Sequence, residues 1–326
     1  MRKFTPLALR LCTAHRSAFS VRTITSTQSK ALVSTRDDIE YCRRLVHKHD
    51  YETYLSSLFS PRYAREALWG LRALNIELLT IPTHTRTPSA ISMRYAFWHN
   101  TIMGLYTQPQ TQNLPPVARV LHDAIQRSKI SRTWLRRLIS ERQTSTAINT
   151  LDDLQKHGER TIACLIHAHL ESLDVRNMHA DNAARAIGVS STISHMLRSM
   201  PEQLAHGRCD LPHDILAKHN INVQELYKAP KNTPELQNAV YEVATTAYTK
   251  LCGVAELHIP NSPRQALPAL LVAVPVKMWL ERLEHANFDV FDPRLRQTHA
   301  VHVMWKLWKA RRKGTWLDVS NQQTGN

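Results

Sequence analysis

Two stretches decide how this chain folds: ALWGLRALNIELL, Ala67 to Leu79, and GVSSTISHMLRSMPEQLAHGRCDLP, Gly188 to Pro212. In each, apolar residues return at spacings of three and four, the period that gives an α-helix one buried stripe. Polar residues interrupt that stripe: Arg72, Asn75 and Glu77 in the first, His195, Arg198, Ser199 and Gln203 in the second. The second stretch ends in Gly207-Arg208 and Leu211-Pro212, where glycine and proline stop a helix and open a loop.

Outward from these anchors the same period runs through Ile39 to Phe59, Tyr63 to Leu79, Ile91 to Tyr106, Val117 to Ile125 and Thr133 to Glu141. It continues through Leu151 to Leu173, Asp181 to Met200, Pro234 to Leu257, Gln265 to His285 and Val301 to Arg312. Breakers separate the runs at Ser60-Pro61, Pro82 to Pro88, Pro109 to Pro116, Pro201 to Pro212, Pro230 to Pro234 and Pro260 to Pro263. Only 8 glycines occur in 326 residues, which argues against a turn-dense β architecture. No repeat of fixed period and no domain-separating linker is present. The pattern predicts an all-α protein with a single-domain bundle of about ten helices over residues 37–295, followed by a basic, Trp-containing C-terminal helix and tail at 296–326.

The first 36 residues differ in kind. They hold Arg2, Lys3, Arg10, Arg16, Arg22, Lys30 and Arg36, many Ser and Thr, and no acid. Basic residues alternate with Phe4, Leu7, Leu9, Leu11, Phe19, Val21 and Ile24, the composition of a mitochondrial presequence able to form a cationic amphipathic helix. Charges break every apolar run before it reaches the length of a secretory h-region. Cleavage is expected between Arg22 and Arg36, with folded sequence starting near Asp37 and Asp38. The longest later apolar run, Ala266 to Val276, is half a transmembrane length and contains Pro268 and Pro275, so membrane contact would be peripheral.

The net charge is +15, of which the first 36 residues supply seven, leaving +8. That remainder is modest and dispersed, so no nucleic-acid partner is expected. Five single cysteines, with no C-x-x-C pair, fit neither a disulfide framework nor a thiolate zinc site. The eighteen histidines suggest a metal, but His47 with His49, and His167 with His169, sit at i, i+2 and point to different helix faces. No cofactor is expected.

The two anchor stretches resemble the signature helices of the squalene/phytoene synthase family. The G-R-x-x-L-P element at Gly207 to Pro212 carries the likeness, as do Leu267-Pro-Ala-Leu-Leu-Val-Ala-Val-Pro-Val276 and Phe288-Asp-Val-Phe-Asp-Pro-Arg-Leu295. The resemblance implies an isoprenoid-synthase-like bundle with a D-x-x-x-D motif on each signature helix. An i, i+4 carboxylate pair places its oxygens on one helix face, and two such helices hold the Mg²⁺ ions that grip a prenyl diphosphate. Here the implied aspartates fall on Asn75 and Leu79, and on Ser199 and Gln203, with the neighbouring amide position on His195. A literal D-x-x-x-D at Asp210 to Asp214 contains Pro212 and reads as loop and cap chemistry. The resemblance therefore implies a pseudoenzyme with no catalytic or metal residues.

Leu71 to Leu78, Met93 to Trp98 and Trp134 to Arg142 are similar to the branch of that family that assembles respiratory complex I in mitochondria. That branch implies complex I subunits or other assembly factors as partners, on the matrix side of the inner membrane. Rival readings are an active prenyl-diphosphate transferase with atypical metal ligands, or a lipid- or prenyl-binding protein. Arg72, Arg198 and Arg208 either line a residual anion pocket or pair with acids such as Glu77 and Asp210. Trp305 and Trp308, among Lys306, Lys309, Arg311 and Arg312, either rest on an anionic membrane or pack on the bundle.

Overall fold

The computed structural model describes residues 34–85, 87–107, 114–144 and 148–316, so the predicted presequence lies outside the described residues except for its last three positions. Among the described residues there are fifteen α-helices and no strand. They are α1 Arg36–His49, α2 Tyr51–Ser57, α3 Arg62–His84, α4 Pro88–Gly104, α5 Pro116–Ser128, α6 Arg132–Thr144, α7 Leu151–Arg160 and α8 Ile162–Ser172. There follow α9 Met178–Ala205, α10 His213–Lys218, α11 Val223–Lys228, α12 Pro234–Leu257, α13 Leu267–Leu270, α14 Ala273–His285 and α15 Ala300–Lys313, with 3₁₀ turns at Arg264–Ala266 and Pro293–Arg296.

The ten predicted runs are all helical, and three of them divide. Ile39 to Phe59 breaks at Asp50, whose φ of −143° and ψ of 58° leave the helical region. Leu151 to Leu173 breaks at Thr161, with φ −115° and ψ −86°. Gln265 to His285 becomes a 3₁₀ turn, α13 and α14. The short α10 and α11 bury Ile215, Leu216 and Leu226 but are too brief to display a period.

The described residues begin at Ser34, where α1 is capped. Thr35 and Asp38 form a reciprocal capping box at the start of α1, at 3.2 and 2.9 Å. Ser34 donates through its amide and its hydroxyl to Asp123 on α5, at 2.8 and 2.6 Å. Asp38 also pairs with Arg119 on α5.

The prolines at 82 and 201, read from sequence as connectors, lie inside the last turns of α3 and α9. Proline at 82 cannot donate to the carbonyl of Leu78. Tyr95 on α4 replaces that bond, its hydroxyl donating to the freed oxygen at 3.2 Å in a buried setting. A helix survives where the sequence shows a breaker.

Helix α9 is the centre of the bundle, packed on α7, α8, α12 and α14. Gly188 permits this: a Cβ there would lie 2.5 Å from the amide nitrogen of Ala163 on α8. At the far end of α9, Gly207 takes φ +69°, and the Arg208 amide donates back to the Gln203 carbonyl at 2.9 Å. The glycine of the G-R-x-x-L-P element is thus a helix stop in a left-handed conformation. Asp214, from the literal D-x-x-x-D, accepts from the Leu151 amide at the start of α7 at 3.1 Å, as the loop-and-cap reading predicts.

Candidate functional site

Arg72 and Asn75 of the first anchor stretch and His195 and Arg198 of the second share one chamber with Arg142 of α6 and with Asp50 at the α1–α2 junction. Arg72 on α3, only 2% exposed, donates to Asp50 at 3.1 Å. Arg198 on α9 pairs with Glu52 on α2 at 3.0 Å and lies over the Trp279 ring of α14, 5.2 Å from its centroid. Both acids come from the helix break at Asp50, so that break supplies counter-charge to two signature arginines. Neither arginine uses Glu77 or Asp210, the acids named from sequence.

Asn75, 5% exposed, points inward, and its Oδ1 accepts from Nε and Nη2 of Arg142 on α6 at 3.3 and 3.2 Å. The Nη1 of Arg142 lies 3.3 Å from Nε2 of His157 on α7, and His157 Nδ1 lies 3.0 Å from Glu141 Oε1. Arginine has no acceptor, so Nε2 must accept and Nδ1 must carry the proton donated to Glu141. Burial lowers the Arg142 guanidinium to about 10 and pushes the His157 imidazole down, the positive charge of Arg142 adding to the latter.

His195 faces the same space. It retains accessible surface, yet burial followed by the charge of Arg198 lowers it to about 4, with Arg72 and Arg142 acting the same way and Asp50 opposing. The charges of three arginines therefore act on this one histidine. His169, 2% exposed behind Arg72, is lowered to about 3 by burial and then by Arg72. The buried Nε atoms of Arg72 and Arg198, and the hydroxyls of Ser191 and Ser194 on α9, have no hydrogen-bond partner among the described residues.

The remaining sequence-predicted positions lie elsewhere. Glu77 turns away from the chamber and accepts from the Tyr41 hydroxyl of α1 at 2.7 Å. Leu79 is 46% exposed, and the Ser199 hydroxyl bonds its own helix at the Met196 carbonyl, at 3.1 Å. Gln203 is half-buried near the C-terminal end of α9. Arg208 stands apart, exposed in the loop after Gly207, where its charge acts on Asp210. Among the described residues no three His, Cys, Asp or Glu side chains gather as a metal site.

Sequence reasoning missed Arg142, His157, Asp50 and Glu52. An arginine near the end of an amphipathic helix reads as a surface charge, and the acids carry no motif. Only the i, i+4 pattern of buried Leu138 before Arg142 hinted that this side chain faces inward.

On α15 the buried seam is Val303, Leu307 and Ala310, whereas Trp305 and Trp308 are 51% and 50% exposed. Both tryptophans lie on the side of the helix away from that seam. Lys306 and Lys309 lie over Trp305, 5.7 and 5.4 Å from its centroid, and Arg312 lies over Trp308 at 5.1 Å. Arg311 donates to the Phe59 carbonyl at 2.8 Å. No described helix is long and apolar enough to cross a membrane.

Comparison with known proteins places this geometry. The squalene/phytoene synthase family pattern matches residues 46–304. A Bos taurus protein named NADH dehydrogenase (ubiquinone) complex I, assembly factor 6, is 31% identical over 264 residues, covering 80% of this chain and 78% of that one. A Drosophila melanogaster homolog of that factor is 32% identical over 256 residues, covering 76% of each. Among solved structures, a dehydrosqualene synthase superposes with a TM-score of 0.73 over 85% of this chain and 97% of its own, at 14% identity, which speaks for the fold alone.

Proposed function

Because this chain belongs to the squalene/phytoene synthase family, and its 31%-identical relative bears the name of a complex I assembly factor, we propose that it is a noncatalytic assembly factor for respiratory complex I on the mitochondrial matrix side. The likeness to that relative over about four-fifths of both chains carries the reading. Its partners on this view are complex I subunits or other assembly factors.

The chamber supports the noncatalytic half of the proposal. Magnesium takes hard oxygen donors in a near-octahedral set. The resemblance lays the metal-binding aspartates on Asn75, Leu79, Ser199 and Gln203, none of which is a carboxylate. The one inward amide oxygen, that of Asn75, is already bonded by a guanidinium. Arg72, Arg142 and Arg198 would also repel a divalent cation from the site. The residues present do not fit the ion.

A deletion strain examined on native gels tests the role: assembled complex I should fall sharply and return on re-expression. Normal complex I in that strain would end the proposal. Mg²⁺-dependent diphosphate release from farnesyl or geranylgeranyl diphosphate by the purified protein would instead support a transferase with atypical ligands.

One observation favours a second reading in which the chamber holds a small anion or the headgroup of a lipid or prenyl ligand. The buried Nε donors of Arg72 and Arg198 have no acceptor among the described residues, and an unmade buried donor is costly. Inorganic diphosphate, added with a chelator, should then raise the melting temperature of the wild type but not of Arg198→Met. Equal melting of both with and without the anion would remove the reading.

A further inference from the structure

Helix α15 carries two apolar seams. At about 100° per residue, Val303, Leu307 and Ala310 share one side and are buried against the bundle. Val301, Trp305, Trp308 and Arg312 fall within an arc of roughly 60° on the opposite side. Val301 is 85% exposed and the two tryptophans about half exposed. A surface helix needs only the inward seam, so the outward one is surplus for a helix that meets only water.

The charge carried by the helix itself has one sign. No carboxylate occurs in the sequence between Asp292 and Asp318, while Arg296, Lys306, Lys309, Arg311, Arg312 and Lys313 all do. Glu281, which lines the groove beneath the helix, is bonded to Lys277. The cations flank the tryptophans and lie over their rings. Past the C-terminal end of the helix, Tyr63, 45% exposed, and Arg264 share a cleft with Arg311 and Arg312 and with one carboxylate, Asp174.

We propose that the outward face of α15 docks flat on an anionic phospholipid bilayer, with Trp305 and Trp308 at headgroup depth and the flanking Lys and Arg on lipid phosphates. Indoles favour that depth because one edge is apolar and the N–H finds a polar partner there. Each basic residue near an anionic surface adds attraction that salt weakens. A convex helix with cations of one sign on its rim matches a plane of phosphates better than a pocketed protein surface. The helix would lie in the interface without crossing it.

The inference rests on the mitochondrial placement only for the choice of cardiolipin as the anionic lipid, and purified protein tests it apart from any effect on complex I. The full chain is floated with vesicles of phosphatidylcholine alone and of phosphatidylcholine with cardiolipin, the latter also with brominated acyl chains. Wild type should float with the cardiolipin vesicles, lose that binding at high salt, and show quenched tryptophan fluorescence on brominated lipid. Trp305→Ala/Trp308→Ala should bind at least tenfold more weakly while melting as wild type does. Trp305→Phe/Trp308→Phe should still float but lose the quenching, which separates insertion of these two side chains from general adhesion. Absence of flotation, equal flotation with both vesicle types, or full binding by the alanine variant would overturn the proposal and leave a protein partner as the occupant of this face.

Discussion

Arg142 and Asn75 form a two-donor, one-acceptor bridge, with Nε and Nη2 of the guanidinium at 3.3 and 3.2 Å from a single amide oxygen. The bridge spans α6 and α3 inside the chamber and gives a buried cation an uncharged partner. Asn75→Leu should therefore cost about 2–3 kcal/mol, because the guanidinium loses its acceptor in a buried setting. Asn75→Asp supplies a carboxylate at the same place and should melt at or above wild type. Thermal unfolding monitored by circular dichroism compares them. If aspartate proves as damaging as leucine, the bridge is not what holds Arg142.

Arg72 and Asp50 make a second buried contact, with side-chain exposures of 3% and 15%. Removing one partner strands the other charge, so Arg72→Met and Asp50→Leu should each lose about 3–5 kcal/mol. The double variant should be less destabilised than the sum of the two. Additive losses in a double-mutant cycle would mean that the pair does not act as a unit.

Acid should destabilise the fold through its histidines before it reaches the carboxylates. His169 is held to about 3 in the folded protein, whereas an unfolded histidine titrates near 6.5. The unfolded chain therefore binds more protons below pH 6.5, and stability falls as pH falls from there toward 4. For buried His169 the slope is about 1.4 kcal/mol per pH unit. His169→Gln should flatten the curve of unfolding free energy between pH 6.5 and 4. A slope unchanged by this substitution would show that His169 is protonated in the fold.

Gly188 and Tyr95 test the packing that sets up the chamber. Gly188→Ala puts a methyl group 2.5 Å from the Ala163 amide nitrogen and should cost about 3 kcal/mol or leave the protein insoluble, since backbone blocks its relief. Tyr95→Phe removes the donor from the Leu78 carbonyl and should cost about 1–2 kcal/mol, leaving a buried acceptor unmade. In Pro82→Ala the same carbonyl regains a backbone donor, so the added Tyr95→Phe change should then be milder. Equal penalties in both backgrounds would contradict the rescue of the proline site by tyrosine.

How far the sequence reached can be seen at particular residues. The helical period and the two anchor stretches predicted an all-α bundle, because a stripe of apolar residues reports a buried face wherever it occurs. The G-R-x-x-L-P element signalled a stop after α9, and Gly207 makes that stop in a left-handed conformation open to glycine. The prolines at 82 and 201 misled, since their tolerance within α3 and α9 depends on neighbours that linear order does not reveal. Arg72 and Arg198 were singled out, but the acids they meet, Asp50 and Glu52, were not, for those arise from a break between two helices read as one.

What the sequence by itself determined is the helical architecture, the family likeness, and the absence of carboxylates at Asn75, Leu79, Ser199 and Gln203. Only the tertiary structure decided that Arg142 answers Asn75, that the charges of three arginines reach His195, and that Trp305 and Trp308 face outward. The physical reason is common to all three. Periodicity fixes which side of a helix is apolar, but hydrogen bonds, charge pairs and the exposure of a second seam depend on which distant helix lies opposite.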